Sequence, residues 1–313
     1  MTVVRLQFAS LLEPKLRAVV NDQSFPRRPV LFPAFFGETI QSKKPTETVF
    51  ERAGLGDFQV KAEGGAITYT DPIAGVELAH THVRRSNGYG ITQEMLDHEQ
   101  YGEMLKLERD LQLAGAEDRE IAGHLVLNNA FSGSNSLPYG FSGLGFDGLA
   151  LCSTAHTRLD GGAVQANRPA SDVDLGWTAL NDAITQFGLW VDHRGRRIRG
   201  NPRRLVIYPS DEYIARELLL SSGKPGTPNN EINALQGRGL TFENAIITPY
   251  LTDTDSWFVL GDDLTNTTMW YWDVQPRTAM EDDFETETVK RKLVHGFSSG
   301  HARWFNVYGS SGA

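Results

Sequence analysis

The sequence predicts an α+β fold, and three stretches carry that prediction. The first covers residues 202–262. It opens with a buried-type strand, RRLVIYPS, and runs into a helix, DEYIARELLLSS. A polar loop with Gly and Pro, GKPGTPNNEINAL, leads to two further strands, ENAIITPYLTD and DSWFVLGD. The second stretch, residues 51–91, alternates imperfectly between apolar and polar side chains, with turn signals at Gly64-Gly65 and Asp71-Pro72. In the third, from Thr92, the period becomes helical: Met104, Leu107 and Leu111, then Ile121 and Leu125, fall at helical spacing. Thr92 is a suitable N-cap with Glu94 in the first turn. Gly115 marks either a break between two helices or a weak point within one.

The remaining elements follow in chain order. Residues 1–50 contain apolar clusters, among them VLFPAFFG, broken by Pro26, Pro29, Pro33 and Pro45. Prolines this dense deny the segment a long helix or a central strand. Five Phe residues between positions 25 and 50 are nevertheless too many for a solvated tail. Both facts fit an extended arm that needs an external surface. Residues 51–91 read as a long two-stranded ribbon, and an isolated hairpin is marginal in water. Residues 57–88 should therefore add little to the chain's own core and dock elsewhere, through backbone edges and side chains such as Tyr69 and Ile73. Residues 131–165 hold seven glycines and few periodic apolars, so they read as loop. DLGWTALNDAITQF gives a helix with Leu180, Ile184 and Phe187 on one face, and TMWYWDVQP and ETETVKRKLVHGF give strands.

Bulk properties narrow the class. A chain of 313 residues can bury one large core or two modest ones. No run approaches the roughly 18 apolar residues of a membrane span, and MTVVRLQFASLLEPKLR lacks a continuous signal-peptide core. The lone Cys152 excludes an intramolecular disulfide framework and a multi-cysteine zinc site. A net charge of −9 argues against a dedicated nucleic-acid binder.

Several local patterns suggest chemistry. Gly296-Phe297-Ser298-Ser299-Gly300 matches the G-x-S-x-G nucleophile elbow, which needs a helix behind it and a later acid and histidine. After Gly300 there is His301 but no Asp or Glu, so a strand-connecting turn is the expected role. Gly143, Gly145 and Gly148 match G-x-G-x-x-G without a strand–turn–helix unit around them, which leaves a flexible surface loop. His80 and His82 face the same way on a strand, as a zinc pair would, but lack a third ligand. Cys152 and His156 lack any nucleophile signature, and a half-buried structural Cys is expected. Arg194, Arg196, Arg197, Arg199, Arg203 and Arg204 form the one dense basic cluster. It is open to three readings: a nucleic-acid patch, a solvated turn, or an intersubunit partner for the acidic run Glu281, Asp282, Asp283, Glu285 and Glu287.

The order of the 202–262 elements, with PYLTD leading into SWFVL, resembles the later half of tailed-bacteriophage major capsid proteins. The resemblance extends to GDFQVKAEGG, ITQEMLDHEQYGEML, LNNAF, DGLALCSTAHTRLDGG, VDHRGRRIRGNPRRLVIYP and the terminal EDDFETETVKRKLVHGFSSGHARWFNVYGS. It is similar to the Mu-like head-subunit group, which has the Hong Kong ninety-seven capsid fold. The resemblance implies an N-terminal arm at 1–50, an E-loop at 51–91 and a peripheral domain with a spine helix at 92–165. An axial domain at 166–274 and return strands of the peripheral domain at 275–313 complete it. It further implies a structural protein without catalytic, cofactor-binding or metal residues. Such a subunit forms hexamers and pentamers of an icosahedral shell, assembled in the host cytoplasm and carried in the virion. The shell encloses double-stranded DNA without sequence-specific binding and involves no membrane. The expected partners are a separate scaffolding protein, since the chain starts at its arm, with a portal and decoration proteins. Some relatives lock the shell with Lys–Asn isopeptide bonds, and Lys61 is the only lysine in the ribbon. Two alternatives remain: the shell of a cellular nanocompartment with the same fold, and a serine hydrolase at Ser298.

Overall fold

The computed structural model describes residues 30–98, 101–224, 231–236, 240–283 and 285–313. The proline-rich start packs inward. Pro33 lies in the first turn of a short 3-10 helix, Phe32–Phe35, where its missing N–H leaves no bond unmade. The buried carboxylate of Glu120 accepts the backbone N–H groups of Leu31 at 2.9 Å and Phe32 at 3.1 Å. Phe32, Phe35 and Phe36 are thereby seated in the main core, with Phe32 and Trp270 ring centroids 4.7 Å apart. The expectation that residues 30–37 need an external surface is corrected by this packing. Residues 1–29, the rest of the expected arm, lie outside the described residues.

The main sheet runs in the order β1 (Glu38–Gln41), β9 (Thr268–Asp283), β10 (Thr288–His301), β4 (Val83–Thr92), with β5 (Phe141–Ser142) added to β10. β1 pairs parallel along only Met269 to Trp272, an edge position that suits a strand hemmed in by prolines. A short helix α1 (Gln93–Asp97) precedes α2 (Tyr101–Asn128), which is continuous over 28 residues. Gly115 therefore breaks nothing. A Cβ there would lie 2.2 Å from Leu293 Cδ2, so glycine is what lets α2 lie against β10. The same faces are pinned by a buried ion pair. Glu108 on α2 meets Arg291 on β10 and also accepts the Tyr89 hydroxyl from β4 at 2.8 Å.

A second sheet has the order β11 (Val307–Ser310), β8 (Trp257–Gly261), β6 (Pro202–Ile207), β7 (Ile246–Ile247). β8 is buried on both faces, and its alternation shares it between two cores. Phe258 and Leu260 join the core built on Trp270 and Phe297, while Trp257 and Val259 face α3 (Trp177–Leu189) and α4 (Glu212–Leu220). Leu180, Ile184 and Phe187 are buried together, as their spacing predicts. Of the 202–262 pattern, every element is present in the predicted order, although β7 is only two residues long.

Two boundaries differ from the sequence reading. The ribbon is β2 (Thr46–Ala53) paired with β3 (Ile73–Thr81), closed by an irregular loop at 54–72. Residues 83–92 are not ribbon, because β4 pairs with β10 from Val83 to Thr92. At the other end, β9 runs unbroken through residues 274 and 275, and β11 belongs to the second sheet.

Candidate assembly interface

The ribbon strands are held to the body of the subunit along their length. Glu51 and Ala53 are buried beside the root of the loop and His80 at the far end, with Val49 and Leu78 half-buried against the cluster of Phe146, Met269 and Tyr271. Most of the loop beyond its root is exposed. The legs of the loop are joined at the base by Gly56 N–H donating to Thr70 Oγ1 at 3.2 Å. Past that point Phe58, Val60 and Tyr69 have relative exposures of 106, 103 and 89%, with Ile67 also in solvent; Leu55, just before it, is exposed too. Scattered apolar residues are normal on a surface, but several large ones on one projecting loop mark a contact surface. Lys61 is exposed on the same loop. Ile73, expected to dock with Tyr69, starts β3 and is half-buried against Ala53 in register.

The turn at 192–196 faces the ribbon root. Arg194 donates from Nε to Gly54 O at 3.0 Å and from Nη2 to Asp71 O at 2.7 Å. Arg196 reaches Leu55 O at 2.8 Å and Asp57 Oδ1 at 2.9 Å. Arg197 binds Leu189 O and Arg204 binds Ala34 O. Four of the six clustered arginines thus have partners within the chain. Arg196 and Arg197 are exposed on this turn, as the solvated-turn reading has it, while Arg194 and Arg204 are half-buried. Arg199 and Arg203 are exposed. In the acidic run, Asp283 pairs with Lys290 at 2.5 Å, which draws its carboxyl down to about 2 through that hydrogen bond.

The patterns that suggested chemistry resolve as packing. Gly296 to Gly300 lie within β10, not in a connecting turn and not in an elbow. Ser298 is fully buried opposite Tyr271, its hydroxyl 2.9 Å from His82 Nδ1. The nearby carboxylate of Asp273 is bonded to Arg84 at 2.8 Å. Gly143 and Gly145 are buried in a packed turn, which corrects the flexible-loop expectation for them, whereas Gly148 is exposed with open space around it. A Cβ on Gly143 would lie 2.5 Å from Ser134 O, and Phe146 is buried. Cys152 is wholly buried, not half-buried, and burial pushes its thiol pKa far up, so it is neither nucleophile nor disulfide former. His156 stacks on Trp304 at 4.5 Å, with its nitrogens beside Asp147 at 2.5 Å and Asn167 at 3.0 Å.

His80 and His82 do lie together beside Tyr271, at centroid distances of 5.5 and 6.2 Å. No cluster of three or more metal-ligating residues occurs among the described residues. The cleft of about 530 Å³ beside α2 is lined by Arg84, Arg85, Asp118 and His295, whose charges are already matched. Arg85 binds Asp118 at 2.7 Å and His295 lies 2.8 Å from the same carboxylate. No described helix is long and apolar enough to cross a membrane.

Residues 75–308 match the family described as phage capsid protein, three-quarters of the chain and nearly all of both sheets. The chain belongs to that family. Among solved structures, the capsid of the cyanophage P-SCSP1u superposes with a TM-score of 0.56 at 11% identity, covering 92% of this chain and 89% of that one. The capsid of a native GTA particle gives 0.56 at 10% identity, covering 91 and 90%. A virus-like particle from Pyrococcus furiosus gives 0.52 at 12%, covering 95 and 98%. No curated protein sequence matches the chain. The fold is therefore the Hong Kong ninety-seven capsid fold, and the protein is a structural shell subunit, not an enzyme.

For a capsid subunit the informative residues are those that hold the ribbon, and sequence reasoning missed their partners. Arg194 and Arg196 stand out as a cluster, but their acceptors lie more than 120 positions away and are mostly backbone carbonyls, which leave no compositional trace.

Proposed function

We propose that this subunit is the major head protein that tiles a closed icosahedral shell around packaged double-stranded DNA. The observation that carries the mechanism is the ribbon loop, whose large apolar side chains have no cover among the described residues. In this reading the ribbon β2–β3 is the E-loop, α2 the spine helix, and the lobe on the second sheet the axial domain. The loop gains its burial on a neighbouring copy within hexamers and pentamers. A stable contact buries about 1,600 Å² in total, and each subunit makes several. Later contacts form within an already joined ring, so modest interfaces become collectively tight, and closed symmetry ends the growth. A separate scaffolding protein, a portal and decoration proteins complete the assembly in the host cytoplasm, and the subunit ends in the virion. The net charge of −9 suits a wall that confines DNA without gripping it.

Electron microscopy of the purified protein tests this. Regular closed shells are expected, and protein that stays monomeric or in small oligomers under every assembly condition would sink the reading. The likeness to the archaeal virus-like particle keeps a second reading in view, a shell around protein cargo. The contents of particles isolated from their natural source separate the two: DNA for a head, enzyme for a compartment.

A further inference from the structure

The turn that carries Arg194 and Arg196 is built to hold its shape. Asp192 Oδ1 accepts the backbone N–H groups of Arg194 and Arg196, both at 2.8 Å. Asp192 N–H donates to Arg196 O at 2.7 Å, and Gly195 sits at φ +80°, a conformation glycine adopts without strain. Two guanidinium groups therefore project from a rigid hairpin toward the ribbon root.

Their targets are placed with equal economy. Arg194 bridges Gly54, on the outgoing leg of the loop, and Asp71, on the returning leg. Arg196 holds Leu55 and Asp57, one step further along the outgoing leg. Asp71 precedes Pro72, which restricts it to extended conformations and so fixes where its carbonyl points. His193 lies alongside, its Nε2 2.7 Å from the buried Glu51 Oε1 on β2. All these contacts join the ribbon to the lobe of the second sheet, not to the main sheet from which the ribbon strands emerge.

We propose that Arg194 and Arg196 are positioning residues that set the angle at which the ribbon loop leaves the subunit, and through it the curvature of the shell. This rests on the shell reading above. The exposed apolar residues from Phe58 to Tyr69 lie beyond the clamp, so a small rotation at the root moves them over a long arc. A neighbour that receives the loop is thereby placed by two arginines of the subunit that extends it. The role belongs to the forked guanidinium, not to its charge. A lysine ammonium is a single compact donor group and cannot span Gly54 and Asp71 as Nε and Nη2 do.

The test uses the full chain with three forms: unaltered, Arg194→Ala/Arg196→Ala, and Arg194→Lys/Arg196→Lys. Melting of the unassembled subunit should change little in either variant, because the clamp touches neither core. Protease cleavage within residues 57–70 should accelerate by about tenfold or more in both, since the root is freed to open locally. Particles imaged by electron microscopy should lose their single diameter and become polydisperse or open. Cleavage rates and particle sizes equal to those of the unaltered protein would overturn the proposal. Rescue by lysine would overturn it too, by making charge the operative property. Faster cleavage with unchanged shells would reduce the clamp to a local fastening. If the unaltered chain forms no shells at all, the shell reading itself fails, while the cleavage rates still decide whether the arginines hold the ribbon.

Discussion

Two long antiparallel pairs that are hairpin neighbours in the chain, β9–β10 and β2–β3, have opposite fates. β10 lies between β9 and β4 and under α2, so Val289, Arg291, Leu293, His295 and Phe297 are all buried. Lys290 and Lys292 on its other face stay in water. Among the described residues β2 and β3 pair with no third strand; Val49 and Leu78 are half-buried against the cluster of Phe146, Met269 and Tyr271, while the loop that joins the strands exposes its largest side chains. Strand propensity is similar in the two pairs; coverage differs. A two-stranded ribbon with apolar residues is marginal in water unless another surface covers it. The first pair belongs to the core of the subunit, and the second leaves its loop uncovered among the described residues.

The largest expected effect breaks this comparison at the loop. Replacing residues 58–69 with a Gly/Ser linker should leave a soluble subunit with a nearly unchanged melting transition and abolish shells. Extending the replacement to residues 57–88, the span the sequence suggested, should instead unfold the subunit. It would remove β3 with the buried His80 and half of the β4 pairing to β10. Regular particles from the 58–69 variant would show that the loop is not the clamp between copies.

On the covered side, the sharpest single lesion is at Glu108 and Arg291, whose side chains are 0 and 4% exposed. Glu108→Ala leaves a buried guanidinium without its carboxylate and should destabilise by about 3–5 kcal/mol in denaturant unfolding. Replacing both, as Glu108→Leu with Arg291→Met, should recover most of that, because well-packed apolar residues avoid the desolvation penalty. A double variant as unstable as the single one would mean that the pair supplies more than mutual compensation.

Acid should act on both sides, wherever histidine rings are buried. Burial holds His80, His124 and His301 at about 4, against an ordinary value of 6.5. The proximity of His82 adds to the effect at His80, while Asp147 opposes it at His301. Between these values the unfolded chain binds more protons than the folded one. The stability from these rings is therefore complete above about pH 6.5 and is lost as pH falls toward 4. Both ring nitrogens of His80 lack hydrogen-bond partners among the described residues. His80→Leu should thus lessen the acid loss by up to about 3 kcal/mol, the most one ring contributes over that interval. An unchanged pH profile would show that His80 is not among the groups that titrate on unfolding.

These outcomes bear on how much could be read before the structure. The 202–262 elements and the face of α3 were legible because their burial follows local periodicity, as with Leu180, Ile184 and Phe187. The end of the ribbon was not, because 73–81 and 83–92 read alike as alternating strands, and only pairing with β10 assigns the second of them to the core. Residues 30–37 were misjudged for a related reason. Their three buried Phe residues need a surface, and that surface is Gly123 of α2, where a Cβ would lie 2.2 Å from Phe32 Cβ. A glycine inside a helical pattern was the available signal, both there and at Gly115.

The smallest effect is expected where the two pairs meet, at Ser298 on β10 and His82 between β3 and β4. The contact has the atoms of a nucleophile and its base, yet none of the setting. Ser298 sits in extended strand, fully buried, with no turn to present its hydroxyl and no helix behind it. Its bond to His82 therefore fastens the ribbon's exit to the sheet. Ser298→Ala removes that bond, but His82 is partly exposed and water can take the vacated nitrogen. The loss should be about 1 kcal/mol or less. Shells should form as before, and neither form should turn over a chromogenic ester. Ester turnover by the unaltered protein that disappears in Ser298→Ala would make this contact a site after all. The covered pair would then carry chemistry as well as structure.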